Sequence, residues 1–165
     1  MRAFALFIAI LLSLGTSATT QAAELHLNFR QFPAPVYTGR PAQLSWDYKV
    51  APKEISFNNA EYEEIATYKW LHFAGHYLIV SINCGTSVEC GVLVDRKTGR
   101  LVSKVPTTYA GWDYRSNSRL LVVNPYNRDD PPAIEYVPEE DRETTYWIWT
   151  GQKFDRIATE PWPQQ

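Results

Sequence analysis

The fold of this chain is decided between residues 76 and 102, which read HYLIVSINCGTSVECGVLVDRKTGRLV. Apolar residues fill both alternating positions of residues 76–82, a pattern typical of a strand that is covered on both faces. Two further apolar runs, GVLV and RLV, flank the sequence DRKTG. Its Asp95 can bond backbone amides, and its Gly99 can adopt the positive φ that closes a turn. The stretch therefore predicts a central strand followed by a β-hairpin.

The rest of the chain carries similar strand signals. Alternating apolar and polar residues predict two strands near the start, and a continuous apolar run predicts one after the hairpin. The turn sequence Thr150-Gly151-Gln152 joins two aromatic-rich strands near the end of the chain. The predicted strands cover residues 25–30, 44–50, 119–123, 146–149 and 153–157.

One short helix is predicted near residues 60–70. Asn58 and Asn59 offer side-chain acceptors to its first free amides, and three glutamates follow at its positive end. We therefore predict a single, mainly β domain, at the margin of the α+β class. Its twisted antiparallel sheets are built from hairpins, with this one short helix.

The first 22 residues have the pattern of a secretory signal peptide. Arg2 precedes an apolar run of about a dozen residues, which is shorter than the ~20 needed to cross a bilayer. Small residues place the cleavage site near Ala22. The sequence thus predicts a periplasmic or secreted domain over residues 23–165 with no membrane span after cleavage. An uncleaved membrane anchor is the alternative.

The charge of the mature chain excludes one class of partner. The full sequence has 16 Lys and Arg against 18 Asp and Glu. Removal of Arg2 leaves 15 against 18, a net charge of −3. Because the chain has no basic stripe, we do not expect it to bind nucleic acid.

The two cysteines, Cys84 and Cys90, are separated by five residues. In an oxidising compartment, two nearby cysteines pair by default, which predicts a disulfide that closes the loop between them. A zinc site would need four ligands, and only the three histidines could complete it. A catalytic CxxC pair would have two intervening residues, so redox chemistry is the weaker alternative.

The segment from Asn124 to Thr145 is rich in proline and acid. Residues 124–143 hold four prolines and seven acidic residues against two arginines, a net charge of −5. This composition predicts a Pro-rich acidic loop, and its charge can attract a basic partner. The ordinary alternative is a solvated run of charge.

The sequence contains no recognisable catalytic motif. His72 and His76 have the spacing of ligands on one helix, but Gly75 interrupts that helix. A catalytic Ser–His–Asp triad could be composed of Ser87, His76 and Asp95. However, no part of the sequence resembles the Gly-x-Ser-x-Gly turn that exposes a nucleophilic serine. We therefore predict no catalytic residue, no metal site and no cofactor. Structural histidines at a helix-to-strand junction explain the pair better.

The aromatic residues leave two interpretations open. Trp147 and Trp149 share one face of a predicted strand. Core packing is favoured, because most aromatic residues of β proteins are buried. An exposed pair would instead indicate a glycan-binding surface.

Several landmarks carry a resemblance. They are FAGHY at 73–77, CGT at 84–86 with a second cysteine soon after, Asp95 with Thr98-Gly99, and SRLL at 118–121. Together they resemble a group of small, exported, uncharacterised bacterial proteins, in which the second cysteine comes sooner. The resemblance implies a bacterial periplasmic β-rich domain and brings no reaction with it.

Two functions follow as expectations. The first is a periplasmic binding protein, such as an inhibitor or immunity protein, that presents the disulfide-closed loop to a protein partner. The acidic segment, residues 124–145, would attract a partner that is basic. The alternative is a hydrolase that acts on envelope material with His76 as its base. The candidate partner-binding residues are Gly85, Thr86, Ser87, Val88, Glu89, Asp129 and Asp130.

Overall fold

The computed structural model describes residues 27–45, 65–68 and 72–163. The predicted signal peptide, residues 1–22, lies outside the described residues, as does the predicted second strand beyond residue 45. Of the predicted helix near residues 60–70, only residues 65–68 are described. They form a single turn, closed by a backbone hydrogen bond of 3.0 Å from Tyr68 to Ile65.

Within the described residues, eight strands form two antiparallel sheets of four strands each. The strands are β1 (His72–Phe73), β2 (Tyr77–Gly85), β3 (Val88–Asp95), β4 (Arg100–Thr108), β5 (Trp112–Tyr114), β6 (Leu120–Val123), β7 (Glu143–Trp149) and β8 (Phe154–Pro161). The first sheet has the order β1-β2-β3-β4 and the second β5-β6-β7-β8, so neighbours in each sheet are neighbours in sequence. The prediction of a mainly β, antiparallel, single-domain fold is confirmed.

The strand predicted over residues 25–30 is wrong in the part that is described. Phe29–Gln31 form a 3-10 turn instead. The Asn28 side chain accepts from the Arg30 N–H at 3.1 Å, and the Asn28 N–H donates to the Gln31 side chain at 2.8 Å. This capping box outweighs the alternating apolar pattern, because it satisfies backbone groups locally.

The main hydrophobic core lies between the two sheets. Trp149 is 1% exposed, and Trp147 packs half-buried against the same cluster, so both tryptophans lie on the core side of β7. The fully buried members of the cluster are Phe73, Ala74, Ile79, Leu93, Val105, Leu121, Val123 and Trp149. Burial of this apolar surface holds the sheets face to face.

A second cluster covers the other face of the first sheet. It consists of Leu78, Val92, Val94 and Leu101 on the strands, together with Ala66. Leu44 and Ile65 pack against it. Because both faces of β2 and β3 are covered, apolar residues occur at both alternating positions of these strands.

One end of the sandwich is tied by backbone hydrogen bonds; this closed end comprises residues 74–76, 95–99 and 116–118. The Gly75 N–H donates to the Ser116 carbonyl at 2.6 Å, and the Tyr37 N–H donates to the Gly75 carbonyl at 2.9 Å. Gly75 has φ +89°, and an added Cβ there would overlap the Pro35 carbonyl oxygen. Only glycine permits this close backbone approach.

The predicted DRKTG turn also lies at the closed end. One carboxylate oxygen of Asp95 accepts from the Lys97 N–H at 2.8 Å, and the other accepts from the Thr98 hydroxyl at 2.9 Å. Gly99 has φ +70°, and its carbonyl accepts from the Ser45 N–H at 2.7 Å. Asp95 and Gly99 thus have the turn roles that the sequence predicts.

Candidate binding surface at the disulfide hairpin

The segment between the cysteines is the tip of the β2–β3 hairpin. The two strands pair as far as Gly85 and Val88, so only Thr86 and Ser87 remain between them. Ser87 has φ +63°, a conformation that residues other than glycine adopt at a cost. The expected loop of five residues is therefore a two-residue turn on an extended hairpin.

The predicted disulfide between Cys84 and Cys90 is present, with the two Cα atoms 5.7 Å apart. Ile82 pairs with Cys90 and Asn83 with Glu89, whereas Cys84 lies in the irregularity between residues 83 and 85. A bulge interrupts the ladder and bends its strand. Here the cross-link spans the bulge and fixes the tip to the regular part of the hairpin.

The hairpin tip is open to solvent. Cys84, Gly85, Thr86 and Ser87 are exposed, whereas Val88 and Glu89 are half-buried. Five of the seven residues predicted to bind a partner, residues 85–89, thus lie together at one end of β2 and β3, opposite the closed end. We call this the hairpin end; it comprises residues 84–90, 106–111, 124 and 139–143.

Glu89 is held by a neighbour that the sequence did not single out. The Ser81 hydroxyl donates to its carboxylate across the hairpin. Glu89 also lies near Tyr114. Burial raises the pKa of the Tyr114 phenol to about 12, and the charge of Glu89 contributes to this rise. No cation of the described chain forms an ion pair with Glu89.

A shallow depression of about 370 Å³ opens beside the tip. Among the described residues it is lined by Ser81, Gly85, Ser87, Val88, Glu89 and Tyr109. Tyr109 follows β4, whose last residue, Thr108, pairs with Glu89. This pairing brings the end of β4 to the hairpin tip.

Asn124 joins the hairpin end to the acidic segment. Its side-chain oxygen accepts from the Thr108 hydroxyl at 2.7 Å, the Tyr109 N–H at 2.8 Å and the Ala110 N–H at 3.1 Å. Its side-chain nitrogen donates to the Asp141 carbonyl at 3.4 Å. Asn124 is 7% exposed with φ +52°, a conformation that asparagine tolerates better than most residues.

The same residue also anchors the last strands. The Asn124 carbonyl accepts from the Thr144 hydroxyl at 2.8 Å and from the Trp162 indole at 3.2 Å. A buried polar residue with this many partners fixes the relative positions of the segments that supply them. The sequence marked Asn124 only as the end of a strand.

The acidic segment is more ordered than its composition suggests. Ile134–Tyr136 and Glu139–Asp141 form 3-10 turns, and β7 already begins at Glu143. Acidic residues of this segment act on Tyr109 at the hairpin end. Desolvation raises the pKa of the Tyr109 phenol most, the charge and hydrogen bond of Asp141 raise it further, and the charge of Glu140 adds a smaller effect. The two predicted binding regions, hairpin and acidic segment, thus meet at Tyr109.

Asp129 and Asp130 take no part in this junction. Both are exposed, and the Asp129 N–H donates to the Asn127 side chain at 3.0 Å. Within the described chain, no hydrogen bond or ion pair ties either aspartate to the hairpin. Their role in partner binding stays a prediction.

His76, the base of the alternative hydrolase, lies at the closed end. Its Nε2 atom is 3.6 Å from an Asp95 oxygen, and its ring packs at a tilt of 31° against the Tyr77 ring with centroids 4.1 Å apart. Desolvation lowers the pKa of His76, against the opposing effect of Asp95. Because both Asp95 oxygens already serve the turn, this pair is explained by structure, and the hydrolase stays a prediction.

His72 has a structural environment as well. It is 7% exposed, and Nη1 of Arg96 donates to its Nδ1 atom at 3.4 Å. Since an arginine can only donate, Nε2 carries the proton and donates to the Ala66 carbonyl at 3.0 Å. These bonds fix a neutral tautomer and join β1 to the turn at residues 65–68.

The part of the chain that the structure describes holds no group of three His, Cys, Asp or Glu residues placed to bind a metal. None of its helices is long and apolar enough to cross a membrane. No family model, curated protein or solved structure matches this chain.

Proposed function

We propose that this protein is an exported binding protein that presents the Cys84–Cys90 hairpin to a protein partner of the cell envelope, as an inhibitor or immunity protein does. One observation supports this above all. Thr86 and Ser87 are exposed at the tip of a hairpin that both a backbone ladder and a disulfide hold in place.

A tip of this kind is suited to association. Ordering a flexible loop on binding costs free energy, and a loop that is already fixed avoids most of that cost. Thr86 and Ser87 offer hydroxyl groups, and Val88 offers a half-buried apolar surface beside them. The tip therefore presents both polar and apolar contacts in one rigid arrangement.

The proposed partner is basic. Residues 124–143 carry a net charge of −5, and Glu89 adds one negative charge at the tip. Complementary charge raises the rate of encounter more than it raises final affinity. The exposed Asp129 and Asp130 would act through this long-range field.

Export is part of the same proposal. Disulfides persist in the periplasm and outside the cell and are rare in the cytosol. The Cys84–Cys90 disulfide is compatible with such a compartment. The proposal therefore places the protein in the periplasm or outside the cell, after cleavage of residues 1–22.

The decisive experiment is affinity capture from envelope extract, and from extracts of competitor bacteria, with variants of the tip. We expect the double variant Thr86→Ala/Val88→Ala to fold and to lose the captured partner. Gln152→Ala changes an exposed turn residue at the far end of β7 and β8, and it should capture as the parent does.

The Cys84→Ser/Cys90→Ser variant tests the need for rigidity. It should capture less partner although the side chains of residues 85–89 are unchanged. If the Thr86→Ala/Val88→Ala variant recovers the partner in full, the hairpin tip is not the binding surface and the proposal fails.

A further inference from the structure

We propose that the depression beside the hairpin tip receives a cationic side chain, arginine or lysine, from the partner. This inference rests on the proposed function and names the group that the site recognises. The lining of the depression includes the polar groups of Ser81, Glu89 and Tyr109 and the apolar side chain of Val88.

Glu89 supplies the charge for this contact. The Ser81 hydroxyl donates to one carboxylate oxygen and so orients the group across the hairpin. The second oxygen bonds to no described residue, and none of the described residues that line the depression is cationic. A carboxylate in this position favours a bidentate or single contact from a guanidinium or ammonium group.

Tyr109 and Val88 suit the remainder of such a side chain. Lysine and arginine carry apolar stems that pack on hydrophobic surface while their charged ends stay near water. A tyrosine ring in addition attracts a cation placed over its face. A volume of about 370 Å³ accommodates one long side chain.

The surrounding charge has the same sign. The carboxylates of Asp141 and Glu140 act on Tyr109 from the acidic segment. Arg142, the cation of that turn, is directed elsewhere, because its Nε donates to the Val137 carbonyl at 3.1 Å. The occupant that this field favours is therefore positively charged.

The test measures binding of a probe, acetyl-arginine-methylamide, by two-dimensional NMR of the labelled full chain. The neutral citrulline counterpart of the probe is the control. We expect the arginine probe to shift the amides of Ser81, Tyr109 and residues 85–89, with millimolar affinity. Glu89→Gln should weaken binding of the probe by up to about fivefold, the upper end of the range for an exposed charge pair. It keeps an acceptor for Ser81, so the hairpin remains intact.

Asp155→Asn is the matched control variant. Asp155 pairs with the exposed Lys153 at 2.8 Å near the closed end, so its loss changes net charge equally without touching the depression. This variant should bind the arginine probe within twofold of the parent. Raising NaCl from 50 to 300 mM should weaken binding to the parent, because exposed charges are screened.

Three results would overturn the inference. They are equal binding of the arginine and citrulline probes, equal binding to the parent and to Glu89→Gln, and shifts confined to residues 129–141. Failure here is separable from failure of the proposed function. If Glu89→Gln captures the envelope partner in full and Thr86→Ala/Val88→Ala does not, the depression is excluded and the hairpin is retained.

Discussion

The two ends of the sandwich are built in different ways. At the closed end, segments distant in sequence are tied by backbone hydrogen bonds, such as the one of 2.9 Å from Ala34 to Asn117. Gly75 and Gly99 let these backbones touch. At the hairpin end, a disulfide and the side chain of Asn124 add to a backbone hydrogen bond of 3.1 Å from Asn124 to Gly111, and the tip beyond them is exposed.

This difference separates stability from presentation. Backbone bonds between packed segments leave few groups free to meet another molecule. Side-chain and covalent links can hold a strand end while leaving its tip accessible. We therefore expect substitutions at the closed end to act on folding, and substitutions at the hairpin tip to act on binding.

The largest effect should come from Gly99→Ala at the closed end. An added Cβ would overlap the Gln43 carbonyl and would be held at φ +70°. We expect the free energy of unfolding to fall by about 4 kcal/mol, since a backbone clash adds to the cost of the left-handed conformation. Urea denaturation measures this change.

Gly151→Ala is the matched control for that prediction. Gly151 also has positive φ, at +96°, but no atom lies within 4 Å of an added Cβ. Gly151→Ala should lower the free energy of unfolding by only about 1–2 kcal/mol, the cost of holding alanine at a positive φ. Equal losses in the two variants would mean that the contact with Gln43 does not hold the closed end.

Asn124→Ala should have the next largest effect, and it falls at the hairpin end. The variant removes the acceptor shared by three donors of residues 108–110. The Thr108 hydroxyl and the Ala110 N–H each keep a second partner, whereas the Tyr109 N–H loses its acceptor, and alanine must adopt φ +52°. We expect a loss of about 3 kcal/mol. Hydrogen exchange should increase at residues 108–110 and 139–141 before it increases in β2.

Two controls separate the causes of that loss. Asn124→Gly removes the same side chain but tolerates φ +52°, so it should be less destabilising than alanine by about 1 kcal/mol. Asn117→Ala changes an exposed asparagine and should leave stability nearly unchanged. A loss at Asn117 equal to that at Asn124 would contradict the junction role.

Local sequence signals were sufficient for much of this fold. Asp95 and Gly99 marked their turn because both act within five residues, and the mixed apolar pattern marked β2 because both of its faces are covered. The disulfide likewise follows from the spacing of the two cysteines and from the export that the sequence predicts. Each of these features is determined by residues that are close together in the sequence.

The junction at the hairpin end had no such signal. Asn124 meets Thr108, Asp141 and Trp162 only after the two sheets pack. The bond from Ser81 to Glu89 likewise depends on strand register. The Asn124-Pro125 pair marked the end of a strand, but a residue's distant partners cannot be read from its neighbours.

Removal of the disulfide by Cys84→Ser/Cys90→Ser should have a smaller effect on stability than Asn124→Ala. The closed loop has seven residues, for which chain entropy gives about 2.4 kcal/mol. Amide exchange should rise at residues 84–89 and stay unchanged at residues 95–99. If both ends loosen together, the hairpin end is not an independent unit.

The smallest effect concerns pH at the closed end. Burial lowers the pKa of His76 below its ordinary value of 6.5, so the unfolded chain binds more protons than the folded one just below that pH. Stability should therefore fall as the pH drops from about 6.5 toward the folded pKa and then level off. His76→Gln should flatten this slope in Tm measured between pH 5 and 8, whereas Glu89→Gln should leave it in place.

A slope that persists in His76→Gln would assign acid sensitivity to another group. Loss of stability rather than of an activity on envelope material would also favour the structural account of His76 over the hydrolase.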